Sequence, residues 1–140
     1  MQISDVIKRL KDESLLLQNR VFGAVELANT QPNSLQTPCV FVVPMAEKGS
    51  RNMVVGGFTQ LIDAQIGVVI CVRNHRDVRG ESGHVELEKV RAEIRDILND
   101  WLPPNCDLPM EFLQGQIAAY DNAVIRWNDV FTTAYYFRKI

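Results

Sequence analysis

The stretch from Phe58 to Arg73 reads as one long β-strand and constrains the fold more than any other part of the chain. Ile62, Ala64, Ile66, Val68 and Ile70 alternate with Asp63, Gln65, Gly67, Val69 and Cys71, the period of a strand and not of a helix. Its first half is polar on one face and its second half is apolar on both. A strand of that kind starts at a sheet edge and finishes inside a core.

Other strands gather around it. Cys39-Val40-Phe41-Val42-Val43 is a short β-rich run with Pro38 before it and Pro44 after it, and proline belongs at strand ends. Met45 to Gly57 carries Lys48-Gly49-Ser50-Arg51-Asn52 and Gly56-Gly57, and reads as a mobile loop or a loosely anchored hairpin tip. The C-terminal part looks all-β. Phe112 to Tyr120 alternates, Asp121-Asn122 is a turn signal, and Ala123 to Trp127 follows as a strand. Asn128-Asp129 reads as a second turn before the last strand, Val130 to Arg138. Strands that follow one another without intervening helices pair antiparallel.

Two helices are legible. Ile3, Val6, Ile7 and Leu10 fall on one helical face, with Ser4 or Gln2 as the cap and Asp5 at the positive end of the dipole. Val90, Ile94, Ile97, Leu98 and Trp101 form the strongest helical stripe, with Ser82 as its cap and Pro103-Pro104 as its stop. Between the first helix and the first strand, Phe22 to Ala24 suits a short extended piece, Val25 to Ala28 one helical turn, and Asn29 to Pro38 a polar loop. The expected class is α+β: a mostly antiparallel sheet with an N-terminal helix and a second, longer helix packed on one face. We find no internal repeat and no boundary, so residues 1–140 are expected to form a single domain.

Composition excludes several functions. With 140 residues, 46% of them hydrophobic and 23% charged, the chain can bury an ordinary core. A formal net charge of −2 is not the footprint of a protein that coats nucleic acid. No apolar run approaches the roughly 20 residues that span a bilayer. No basic stretch followed by an apolar block marks a signal peptide, so the chain is expected to act in a cytoplasm. Cys39 and Cys71 lie in apolar runs and suit buried hydrophobes, whereas Cys106 sits in a Pro-rich loop.

No constellation of catalytic groups can be assembled. His75 and His84 have no further metal-ligand company, so no metal is expected. Gly56-Gly57 and Gly80-Glu-Ser-Gly83 lack the spacing and lysine of phosphate loops, and no GxSxG elbow occurs. Asp63, Asp121 and Asp129 suit strand faces and turns better than paired acid–base work. Arg73, Arg76 and Arg79 with His75 form the densest basic stretch, interrupted by Asp77 and Glu81. Tyr120, Trp127, Tyr135 and Phe137 could supply a nucleic-acid-stacking face, but sheet packing is their simpler use. The expectation is a non-enzymatic protein without cofactor, membrane partner or specific nucleic acid.

The order of motifs resembles the phage tail terminator, or tail completion, family. The marks are the Pro-bounded strand Pro38-Cys-Val-Phe-Val-Val-Pro44, Gln60 opening a long strand that ends in Val72-Arg73, and Asp77-Val78-Arg79-Gly80 before a helix. A Trp101-Leu102-Pro103 corner follows, and the C-terminal run Trp127-Asn-Asp-Val-Phe-Thr-Thr-Ala-Tyr135 is the most telling piece. The resemblance implies a hexameric ring on the end of a completed tail tube, stopping tube polymerisation and offering a surface to head-completion proteins. It implies assembly in the host cytoplasm, from a phage or prophage genome, and a final place in the virion tail. Lys48 and Arg51 in the glycine-bearing loop, and Arg73, Arg76 and Arg79 after the long strand, are the candidate contacts with a neighbouring subunit or the tube. Alternatives are another head–tail connector or neck component and, further off, a nucleic-acid-binding module.

Overall fold

The computed structural model describes residues 2–29, 36–73, 81–121 and 124–139. Its elements run α1 (Ile3–Glu13), β1 (Val21–Phe22), α2 (Ala24–Asn29), β2 (Cys39–Gly49), β3 (Phe58–Arg73), α3 (Glu81–Leu98), β4 (Leu108–Asp121) and β5 (Val124–Lys139). The strands form one sheet in the order β1-β2-β3-β5-β4. Only the short β1–β2 contact is parallel, so the fold is the expected mostly antiparallel α+β arrangement.

β3 is the axis of the sheet. β5 pairs with it from Phe58↔Lys139 to Arg73↔Val124 without a register shift, and β2 pairs along its other side. The even-numbered residues Ile66, Val68, Ile70 and Val72 enter the main core with Val6 and Leu10 of α1, Leu87, Val90, Ile94 and Leu98 of α3, and Phe131 of β5. Each such side chain, fully buried, contributes about 1.5–3 kcal/mol. On the opposite face Val69 and Cys71 join Cys39, Phe41 and Val124 in a smaller cluster with Phe22 and Leu27 against it. β1 and α2 therefore cover the second face at this end, which is why the second half of β3 is apolar on both sides. α1 and α3 share one face, as expected, and α2 is an addition on the other.

Three boundaries differ from the sequence expectation. Pro44 does not end β2, which continues to Gly49 through a register slip between Pro44 and Ala46. The amide of Val40 donates outward to Arg20 O at 3.0 Å, and Pro44 shares the parity of Val40. Its missing N–H therefore faces an edge that no strand among the described residues covers, where it costs no ladder bond. Asn128-Asp129 is not a turn: both residues are buried in the middle of a continuous β5. α3 ends at Leu98, ahead of the prolines, where Asp100 takes a left-handed φ of 64°. Its first residue is Glu81, so Ser82 lies inside the helix and not ahead of it. Gln2 occupies the cap position of α1 without a side-chain bond.

The chain leaves α1 through a turn tied to α3. Ser14 Oγ donates to Glu93, whose second oxygen accepts the amides of Leu15 and Leu16 at 3.2 and 3.3 Å. Leu17 then drops into the core while Leu15 and Leu16 stay outside. Most of the Asn29 to Pro38 loop, and Asn122 of the expected Asp121-Asn122 turn, lie outside the described residues.

Cys39 and Cys71 are direct partners across the β2–β3 ladder, and both are buried and free. The hydrogen bond to Cys71 and burial push the Cys39 thiol well above its ordinary pKa. Cys106 alone is partly exposed. A thiol-reactive chromophore should therefore label one cysteine rapidly in the folded protein and the other two only at the rate of unfolding. Rapid labelling of all three would contradict this packing.

Candidate assembly surface

Beyond the core, β2, β3 and β5 continue together as a three-stranded arm. Glu47↔Ala64, Lys48↔Asp63 and Gly49↔Ile62 pair on one side, and Phe58↔Lys139 to Ile62↔Tyr135 on the other. Cross-strand contacts stiffen it. Phe58 and Phe137 meet edge to face with centroids 6.1 Å apart, and within β5 itself Arg138 lies 5.0 Å over the Tyr136 ring. Tyr135 Oη donates to Glu47 at 3.3 Å, and desolvation together with that carboxylate raises the phenol's pKa.

Residues 50–57 close the arm, and they are held in place. Asn52 acts as a clamp: its amide nitrogen donates to the carbonyls of Val54 and Gly57 at 2.9 and 3.0 Å. Its oxygen accepts the amides of Val54 and Thr59 at 3.2 and 2.9 Å. Met53 N bonds Thr59 O, and Gln60 Nε2 bonds Ser50 O. Gly56 supplies the left-handed φ of 79° that the bend requires. Of the segment Met45 to Gly57, expected as a mobile loop or a loosely anchored hairpin tip, Met45 to Gly49 are thus strand and the rest is a hydrogen-bonded tip. That tip points Met53, Val54 and Val55 at solvent, Val55 fully exposed.

The three described residues among the expected basic contacts, Lys48, Arg51 and Arg73, do not form one patch. Lys48 and Arg51 lie exposed on the arm, and neither has an ion-pair partner among the described residues. Arg73 ends β3 at the far pole, about 33 Å at strand rise beyond Asp63, the partner of Lys48. Arg76, Arg79 and His75 lie outside the described residues. The four aromatics weighed as a stacking face are also dispersed along β4 and β5. Trp127 packs against the core, Tyr135 on Glu47, Phe137 on Phe58, and Tyr120 is exposed.

What positions the sheet under α3 is a cluster that the turn assignment concealed. Arg91 donates Nε and Nη2 to Asp129 at 3.0 and 3.1 Å and stacks 4.6 Å over Trp127. Trp127 Nε1 donates to the same carboxylate at 2.8 Å. Burial works against the Arg91 charge, but Asp129 and Glu88 outweigh it and hold its pKa above the ordinary value. Gly115 of β4 makes the room: a Cβ there would lie 2.4 Å from Asp129 Oδ1 and 2.9 Å from Arg91 Nη2. The signal was present in the unbroken alternation Ile125, Trp127, Asp129, Phe131, which carries no glycine or proline. No group of three or more His, Cys, Asp or Glu able to hold a metal occurs among the described residues. Nor is any described helix long and apolar enough to cross a membrane.

The family model for phage tail terminator proteins matches residues 1–140. The chain belongs to that family. As a family member it is a structural protein of the phage tail. Among solved structures, a chain of the "Virion of native gene transfer agent (GTA) particle" shares its fold, with a TM-score of 0.57 at 15% identity. The match covers 96% of this chain and 94% of that one. None of the curated proteins compared matches the sequence.

The packing of this tail terminator predicts that Asp129→Ala costs about 3 kcal/mol in urea unfolding, because Arg91 loses its buried counter-charge. Gly115→Ala should cost about 1–3 kcal/mol by overpacking the same cluster. Unchanged midpoints for both would contradict a lock at this position.

Proposed function

We propose that this chain caps the completed tail tube as a homo-oligomeric ring, a hexamer, that ends tube polymerisation and prepares head–tail joining. Family membership over the whole length carries this reading. The architecture supports it: β4 and the distal half of β2 leave two sheet edges without strand partners among the described residues, the second of them along the projecting arm. Unpaired edges are templates for contact with further chains. The partners are other copies of the chain, the tail tube protein and a head-completion protein. The work is positional, without chemistry or cofactor. Assembly takes place in the host cytoplasm, whether from a phage or a prophage genome, and the product is carried in the virion tail. Lys48 and Arg51 on the arm, Arg73 at the end of β3, and Arg76 and Arg79, which follow it in the sequence, are assigned to neighbouring subunits or the tube.

Light scattering across concentration, with and without tail-tube protein, tests the reading. A mass of six chains, alone or when tube is added, is the expected result. A chain that stays monomeric at every concentration and ignores the tube would contradict it.

A further inference from the structure

We infer that the tip of the arm docks on the α3–β4 corner of a second copy of the chain, head to tail. The inference rests on the ring reading above and names the contact that would build it.

The tip is apolar and basic. Met53, Val54 and Val55 project from it, and the exposed cations Arg51, Arg138 and Lys139 lie beside it, with no carboxylate among residues 50–59. The Asn52 clamp directs its hydrogen bonds to a loop whose apolar side chains stay largely exposed, Val55 completely so. A rigid apolar display of this kind costs the free chain solubility and suits a partner.

The α3–β4 corner is apolar and acidic. Leu102, Leu108 and Leu113 are about half exposed there. From Asp96 to Leu113 the chain carries Asp96, Asp100, Asp107 and Glu111, all exposed, against two arginines that pack on the corner, Arg9 over Trp101 and Arg95 over Phe112. This surface is also held rigid. Asp100 N and Met110 N exchange bonds with Met110 O and Trp101 O at 2.8 and 2.7 Å, and Asp107 binds β5 through both its amide and its carboxylate.

The two surfaces cannot meet within one chain. Leu108 pairs with Ala134, while the tip begins beyond Lys139, five strand residues and about 17 Å further along β5. Two tips facing one another would set cation against cation, so a two-fold contact is disfavoured. A tip on a neighbour's corner sets cations on carboxylates and apolar side chains on apolar side chains. That contact is heterologous, and a heterologous contact closes into a ring when the rotation between successive copies closes.

The test uses two variants of the full chain, each at exposed positions. One carries Val54→Asp with Val55→Asp in the tip, and the other Leu102→Asp with Leu108→Asp in the corner. Thermal unfolding checks that both remain folded, and light scattering, with tube protein present, reads assembly. Each variant alone should need at least about tenfold more protein to assemble. An equimolar mixture should stop at a dimer, because only one native tip and one native corner can meet. Variants that assemble like the wild type, or a mixture that stays monomeric, would overturn the contact and leave the ring reading standing. Variants that form rings yet no longer bind the tube would assign the tip to the tube protein and overturn it as well. A wild-type chain that never assembles would remove the ring reading, and this inference with it.

Discussion

The unbroken register between β3 and β5 holds the two ends of this molecule in one rigid piece, from Phe58↔Lys139 to Arg73↔Val124. At one end both faces of the ladder are buried, by α1 and α3 on one side and by β1 and α2 on the other. At the other end the same two strands leave the core and, with the distal half of β2, become the arm. A single slip would exchange the Ile66, Val68, Ile70 face with the Gly67, Val69, Cys71 face, so the core sets the register that the arm inherits. The arm needs no core of its own because its strands are anchored elsewhere.

Arg91 and Asp129 fasten the helix layer to that ladder. A buried ion pair adds little net stability, since desolvation offsets much of its attraction, but breaking it strands a charge. Its value here is positional. The carboxylate accepts from Arg91 and from Trp127, and Gly115 lets β4 pass close above it. One rotation of α3 therefore satisfies all the donors, which fixes where the α3–β4 corner stands relative to the arm.

Much of this was legible in the residues. The limits of β3, the amphipathic faces of α1 and α3, and the α+β class follow from periodicity alone, because those segments are long and their burial is one-sided or complete. The extent of β2 was not legible, because a proline is read locally as a stop and only the sheet order shows that Pro44 lies on an edge. Asn128-Asp129 resembled a turn because these residues usually make turns, and the partner that reverses this, Arg91, lies 38 residues away. The tip resembled a mobile loop for the same reason: glycines and Asn52 signal turns, but not that one asparagine will bind four backbone groups around itself. Of the candidate contacts, Lys48 and Arg51 fall on the arm, whereas the distance to Arg73 depends on a strand length that no local pattern converts into space.

The central claim is that a core-anchored strand pair carries an arm by which copies of this tail protein join. Electron cryo-microscopy of the head-proximal end of assembled tails tests it most directly. The account predicts a closed ring of copies with the Met53–Val55 tip of each arm seated against the Leu102 and Leu108 corner of its neighbour. A ring whose arms point free of every neighbouring copy, or a tail end without a ring of this chain, would contradict it.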